Sequence, residues 1–197
     1  MNDNLTFYSE NTDSLVSQYD SVSFDSVHNE WLTYVPTNGM VLDIGAGSGR
    51  DARYLSEHGL KVYAVEPALA LMQAAQNNSS ECDITWYQDS LPNLERVRVL
   101  DVQFDLILLS AVWMHLSLDE RTLSMKTMAS LLRTGARLVI TLRHGEFSDG
   151  RTTFPLSADE VAQLGEQNGL SLLLKTKLSD DQLGRGDVVW QTVVLGK

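Results

Sequence analysis

The sequence has little of what staples small or secreted proteins: one cysteine, Cys82, stands in 197 residues. An intrachain disulfide is thereby excluded, as is a thiolate metal cluster, and Cys82 is expected to be a buried or half-buried thiol. No grouping of His, Asp and Glu has metal-ligand spacing, so no metal is expected. Long apolar runs are also lacking. The longest, Leu106 to Leu116, is too short to span a bilayer. The polar, acidic start Met1-Asn-Asp-Asn-Leu-Thr is unlike the basic and then apolar pattern of a signal peptide. No membrane partner and a cytoplasmic location are the expectations. Positive charge is scarce, with 15 Lys and Arg against 26 Asp and Glu and a net charge of −11. A field of that sign repels phosphate backbones. It counts against duplex nucleic acid as a partner and favours a small molecule or a protein side chain.

What is present is an ordinary globular balance, 43% hydrophobic and 21% charged, in a length suited to one domain with a full core. Residues 1–38 carry no strand pattern, and Leu15, Val16, Tyr19, Val22, Val27, Trp31, Leu32 and Val35 recur as on amphipathic helices. This segment is expected to form a helical cap or lid belonging to the same domain as residues 39–197. Tyr19 and Trp31 either line that lid, Tyr19 then touching substrate, or belong to the core.

After the break at Pro36-Thr-Asn-Gly39, strands and helices alternate. Met40–Ile44, Lys61–Val65, Ile84–Tyr87, Phe104–Leu109 and Arg137–Leu142 read as strands, and Ser48–His58, Pro67–Asn77, Asp119–Leu132 and Ser157–Asn168 as helices. Ser157 with Glu160 three residues on has a capping-box pattern. Alternation of this kind makes a mostly parallel sheet covered by helices on both faces. Leu170–Lys177 and Val188–Leu195 leave no room for a helix between them and should pair as an antiparallel hairpin.

The segment Asp43-Ile-Gly45-Ala46-Gly47-Ser-Gly49 falls where the first strand turns into the first helix of this series. Glycines there let the backbone approach a ligand closely. A dinucleotide fingerprint wants G-x-G-x-x-G, but the sixth position is Arg50. Glu66, followed by Pro67, ends the second strand about 20 residues on, where a carboxylate accepts ribose hydroxyls. Asp89, with Ser90 beside it, follows the third strand, where it can accept an adenine amino group. Three acidic positions on successive strand ends say more than any one of them.

These residues resemble the class I S-adenosylmethionine-dependent methyltransferases. Val41–Asp51 is similar to their first motif, Val62–Glu66 to the second, Gln88-Asp89-Ser90 to the third and Phe104–Ser110 to the fourth. The resemblance implies a Rossmann-like three-layer α/β sandwich with a seven-stranded sheet in the order 3-2-1-4-5-7-6, the last strand antiparallel. It also implies S-adenosylmethionine as cofactor. Asp43 and the Gly45, Ala46, Gly47 and Gly49 backbone would serve the methionine end, Glu66 the ribose and Asp89 the adenine, with Ser110 beside the sulfonium. Arg50 either reaches the cofactor carboxylate or merely begins the helix. The second half, through Leu142-Arg-His-Gly145, Gly150-Arg151, Leu183-Gly-Arg185 and Trp190, resembles a small bacterial branch of that family whose substrate is unknown.

Ligands bind beyond the carboxyl ends of parallel strands, so Arg143, His144, Arg151 and Arg185 are expected near the transferred methyl. Either they hold an anionic acceptor, a carboxylate or phosphate, or they pair with Glu146, Asp149, Asp180 and Asp181 to pin loops. His144 is the candidate general base, and His115 a packing or hydrogen-bonding residue. The absence of an Asn/Asp-Pro-Pro-aromatic tetrapeptide at Ser110-Ala-Val-Trp counts against amino-methylation of DNA bases. The expectation is therefore a methyltransferase of a small, anionic molecule. The alternatives are a non-catalytic nucleotide-binding module on the same fold, or an enzyme acting on a protein or RNA. Oligomeric state leaves no mark on the sequence.

Overall fold

A computed structural model describes residues 3–197. Met1 and Asn2, part of the acidic start, lie outside the described residues. The chain opens with α1 (Asp3–Glu10), α2 (Thr12–Asp20), α3 (Phe24–His28) and a 3-10 turn at Leu32–Tyr34. It then alternates through β1 (Met40–Ile44), α4 (Arg50–Glu57), β2 (Lys61–Val65), α5 (Leu69–Asn78), β3 (Ile84–Tyr87), α6 (Glu95–Arg98) and β4 (Phe104–Ser110). A second 3-10 turn, Trp113–His115, leads into α7 (Leu118–Leu131), β5 (Leu132–His144), α8 (Ala158–Gln167), β6 (Ser171–Lys175), β7 (Ser179–Asp180) and β8 (Val189–Gly196).

The sheet runs β3-β2-β1-β4-β5-β8-β6, with β7 pairing only with β8. Five strands are parallel, and β8 is antiparallel to β5, β6 and β7. The expected order stands once β7 is set aside, and the expected count of seven is corrected to eight. The additional strand is two residues long. It forms because the hairpin brings Ser179 and Asp180 opposite Trp190 and Val189, a pairing that no local pattern announces.

Strand alternation divides the core in two. Leu42, Ile44, Ile107, Leu109, Leu138, Ile140 and Leu142 face Met125 and Met128 of α7 and Val161 and Leu164 of α8. Val41, Val62, Ala64, Leu106, Leu108 and Val139 face Ala52 and Leu55 of α4, together with Phe24 and Trp31. Trp31 is thus a core residue, the second of the two roles its spacing allowed. Its indole N–H donates to buried His28 rather than to a ligand.

Two helix ends show the local chemistry. Ser117 caps α7 in a full capping box with Glu120. At α8, Ser157 Oγ accepts from the Glu160 N–H at 3.1 Å, but the Glu160 carboxylate does not reciprocate. It is taken by buried Arg121, whose Nη1 lies 3.0 Å from Oε2, so the box expected there is only half made. Arg121 also donates to the carbonyls of Trp113, Phe154 and Pro155. It therefore ties the turn after β4 to the segment before α8.

Candidate active site

A cavity of about 650 Å³ opens above the carboxyl ends of the parallel strands, where open α/β sheets bind ligands. Its floor at one end is the glycine loop. Gly45 has φ of 72°, and a Cβ there would collide with Val112, so a side chain is sterically excluded. The Gly45 and Ala46 N–H groups donate to the Val65 carbonyl at 2.8 and 2.9 Å, which fixes the loop against the end of β2. Buried Glu66 accepts from the Gly47 N–H at 3.0 Å and the Ala68 N–H at 2.9 Å. Burial pushes its carboxyl up to about 7 against the pull of those two donors.

Behind the loop, Asp43 is buried and its Oδ2 has no hydrogen-bond partner among the described residues. Burial and the nearby Asp51 charge raise its carboxyl well above the ordinary value. Asp51, by contrast, is held low despite burial, because His28 lies at 2.9 Å and Arg50 at 2.7 Å. Trp31 donates to His28 Nδ1, which leaves the imidazole proton on Nε2 for donation to Asp51. Arg50 donates in addition to the Tyr19 carbonyl at 3.2 Å, and Asp20 binds Ser48 and Arg53. The loop is thereby tied to α2 and α3.

Of the positions read from the sequence, Gly45, Ala46, Gly47, Arg50, Glu66, Pro67, Asp89, Ser90, Ser110, Tyr19, Arg143, Arg151 and Arg185 line this cavity. Asp43, behind the loop, does not line it, and neither does Gly49. Gly49 precedes α4 and faces Trp86 and Arg53. Asp89 lines the wall but accepts from the Ser90, Arg96 and Val97 N–H groups. Those bonds leave about one of the roughly four acceptor sites a carboxylate offers.

His144 is also absent from the lining. On β5, Thr141 and Arg143 face the cavity, whereas Leu142 belongs to the core on the opposite face, and alternation sends His144 to that side. The general-base expectation for His144 is corrected accordingly. A histidine does stand at the wall, His115, which the sequence offered as a packing or hydrogen-bonding residue. Its Nε2 lies 3.0 Å from the Tyr8 hydroxyl, and its Nδ1 lies 3.0 Å from both the Thr152 carbonyl and the Asn4 amide. Arg151 donates to the Tyr8 hydroxyl at 3.1 Å. With Nδ1–H given to Thr152, Nε2 accepts from Tyr8, so a hydrogen-bonded chain runs from Arg151 through Tyr8 to His115. Burial lowers the His115 pKa and raises that of Tyr8, keeping both neutral near pH 7. No local motif marks Tyr8 or Asn4, which reach the site only because α1 folds over it.

The far wall carries the arginines. Arg151 pairs with Asp149 at 2.7 Å and Arg185 with Asp181 at 2.6 Å. Asp181 also accepts from the Trp190 indole at 2.8 Å. Despite burial it is held low by Arg185 and Trp190. Gly145, with φ of 107°, lets its loop lie against the hairpin, since a Cβ there would stand 2.5 Å from the Asp187 carbonyl. Among the described residues no cluster of His, Cys, Asp and Glu is arranged to hold a metal, and no helix is long and apolar enough to cross a membrane.

A glycine loop at a strand end, a buried carboxylate one strand away and a cavity at strand carboxyl ends are the arrangement of a nucleotide-binding α/β fold. Residues 41–135 match the family described as a methyltransferase domain. An uncharacterized methyltransferase of Alkaliphilus oremlandii is 28% identical over 108 residues, covering 52% of this chain and 44% of that protein. The matched stretch is thus less than half the length of that relative. The fold is similar to that of magnesium protoporphyrin IX methyltransferase from Synechocystis PCC 6803 with bound S-adenosylhomocysteine. The TM-score is 0.70 at 16% identity, over 98% of this chain and 99% of that one. It is also similar to 1,6-didemethyltoxoflavin-N1-methyltransferase of Burkholderia thailandensis, with a TM-score of 0.66 at 19% identity, over 95% and 89% of the two chains. Residues 41–135 are thus similar to a methyltransferase domain, and the fold is similar to that of methyltransferases crystallised with S-adenosylmethionine or S-adenosylhomocysteine.

The residues present fit that cofactor. The loop backbone is open to the cavity, and the Asp43 and Glu66 carboxylates retain hydrogen-bonding capacity that ammonium and hydroxyl donors would meet.

Proposed function

We propose that the chain transfers a methyl group from S-adenosylmethionine to a small anionic molecule. The observation that carries this reading is one continuous cavity, with the glycine loop and Glu66 at one end and Arg143, Arg151 and Arg185 at the other. Gly45, Ala46 and Gly47 hold the methionine end with Asp43 behind them, Glu66 accepts the ribose hydroxyls, and Asp89 and Ser90 border the adenine. Ser110 and Thr141, 3.2 Å apart, lie between the donor and acceptor ends. The cofactor supplies an electrophilic methyl on a sulfonium that departs as a neutral thioether. The residues therefore need only align the acceptor and exclude water. α1 and α2 serve that exclusion as a cap, with Tyr8 and Tyr19 turned to the cavity. Where the acceptor must lose a proton, the Tyr8–His115 pair takes it.

Thermal-shift titration tests the donor half. S-adenosylmethionine or S-adenosylhomocysteine should raise the melting temperature and NAD should not; stabilisation by NAD alone overturns the reading. For the acceptor half, Arg151→Ala should weaken acceptor binding while leaving S-adenosylhomocysteine binding in place. Unchanged acceptor affinity in a stable variant refutes an anion site at Arg151.

A further inference from the structure

The cavity wall holds four arginines, and their counter-charges differ. Arg50, Arg151 and Arg185 each meet a carboxylate within 2.7 Å. Arg143 meets none within ion-pairing distance among the described residues, although it is 94% buried, with only 6% of its surface exposed. Its guanidinium donates to two loop carbonyls, Gly145 at 2.6 Å and Glu146 at 3.4 Å. It also lies over the Phe147 ring at 3.8 Å from the centroid. Its Nε–H has no partner. Two carbonyls leave most of the five guanidinium N–H donors unused. A buried cation without a counter-ion is costly, and this one stands on a central strand, paired through Trp190 to β8, where it cannot swing out to water.

The neighbourhood tells what would answer it. Arg151 and Arg185 are ion-paired with Asp149 and Asp181, whereas Arg143 is the guanidinium of this wall with no carboxylate in contact among the described residues. A ligand carboxylate offers the two acceptors that the free N–H donors of Arg143 lack. The surrounding surface is aromatic. Arg151 covers the Phe147 ring at 3.7 Å, His115 stacks on that ring at 5.7 Å, and Tyr8, Tyr19 and Trp190 complete the lining. Flat rings fit such walls by stacking and edge contacts.

We infer that Arg143 is the residue that holds the methyl acceptor, and that it does so through the single carboxylate of an aromatic or heteroaromatic acid. Arg151 and Arg185, each charge-paired with its own aspartate, line the pocket around that acid. This inference rests on the methyltransferase reading, since it places the acid beside the donor end of the same cavity.

The test uses the full chain saturated with S-adenosylhomocysteine. A panel of benzoate, anthranilate, nicotinate, salicylate and indole-3-carboxylate is titrated beside the matching carboxamides and inorganic phosphate, with thermal shift and calorimetry as readouts. Acids should bind where their amides and phosphate do not. Arg143→Gln should weaken the bound acid by about tenfold or more while leaving the affinity for S-adenosylhomocysteine unchanged. The acid–amide contrast in the unaltered protein keeps the inference testable if that variant folds poorly. Acids no better than amides, phosphate binding as well as acids, or acid binding that survives Arg143→Gln each overturn it. If S-adenosylhomocysteine itself fails to bind, the methyltransferase reading falls and this inference with it. If it binds and the acids do not, this inference falls alone.

Discussion

At the glycine-loop end of the cavity the polar side chains are carboxylates with hydrogen-bonding capacity to spare, Asp43 and Glu66. At the other end they are guanidinium groups, two of them answered by aspartates two and four residues away in sequence. The first end is assembled from backbone and strand ends, so its shape depends on glycine geometry and its chemistry on burial. The second is assembled from loop and hairpin side chains that stabilise one another as they line the wall. A ligand can thus be recognised by structure that is already complete at one end and by charge that is incomplete at the other.

The largest effect should come from breaking the shape of the first end. Gly45→Val places a branched side chain at φ of 72° and into Val112. It should weaken S-adenosylhomocysteine binding by about 100-fold or more by calorimetry, about 2.7 kcal/mol. Near-normal affinity would mean that the loop is not the donor site. Next is Asp181→Ala at the second end. It leaves Arg185 and the Trp190 indole without their acceptor, a loss of about 2–3 kcal/mol because Arg185 is partly solvated. Denaturant unfolding should show that loss while donor binding is kept, separating the two ends experimentally.

The smallest effect, taken over one pH unit, is a pH dependence at Glu66. Its carboxyl sits near 7 in the folded protein, above the ordinary value of 4.5. The fold therefore retains a proton that the unfolded chain releases. The stability it contributes is full below pH 4.5 and is lost as pH rises to about 7. Binding has the opposite sign, because ribose hydroxyls donate to the ionised form. Affinity for S-adenosylhomocysteine should rise by about tenfold per pH unit up to about 7 and then level off, and Glu66→Gln should flatten the profile.

The two ends also differ in how far the sequence reveals them. β1, β2 and β3 have the bounds that their apolar runs suggest, because a strand buried on both faces leaves a continuous signature. Asp43, the glycines and Glu66 sit at fixed offsets from those strands, so local spacing was enough to bring them together. The arginine wall was legible only as a list of residues. Which of them pairs, and which stands alone, depends on a hairpin closing over a loop. Tyr8 and Asn4 come from a helix more than 100 residues away from His115 in sequence. β7 and α6 are too short to leave a periodic pattern. β5 begins five residues earlier than its apolar run, since α7 passes directly into it and Gly135, expected to follow the helix, lies inside the strand. The exchange of His144 for Arg143 had a usable clue: Leu138, Ile140 and Leu142 mark the core face of β5, and odd-numbered Thr141 and Arg143 must take the other.

That alternation gives β5 a parity on which the chemistry of the wall depends. Its even positions feed one core, and of its odd positions Val139 feeds the other core while Thr141 and Arg143, near the strand's end, feed the cavity in register with Thr192 and Trp190 across β8. A single-residue deletion upstream in the strand would bring the His144 imidazole to the position of the Arg143 guanidinium. The wall would then carry that charge only in acid instead of at every physiological pH.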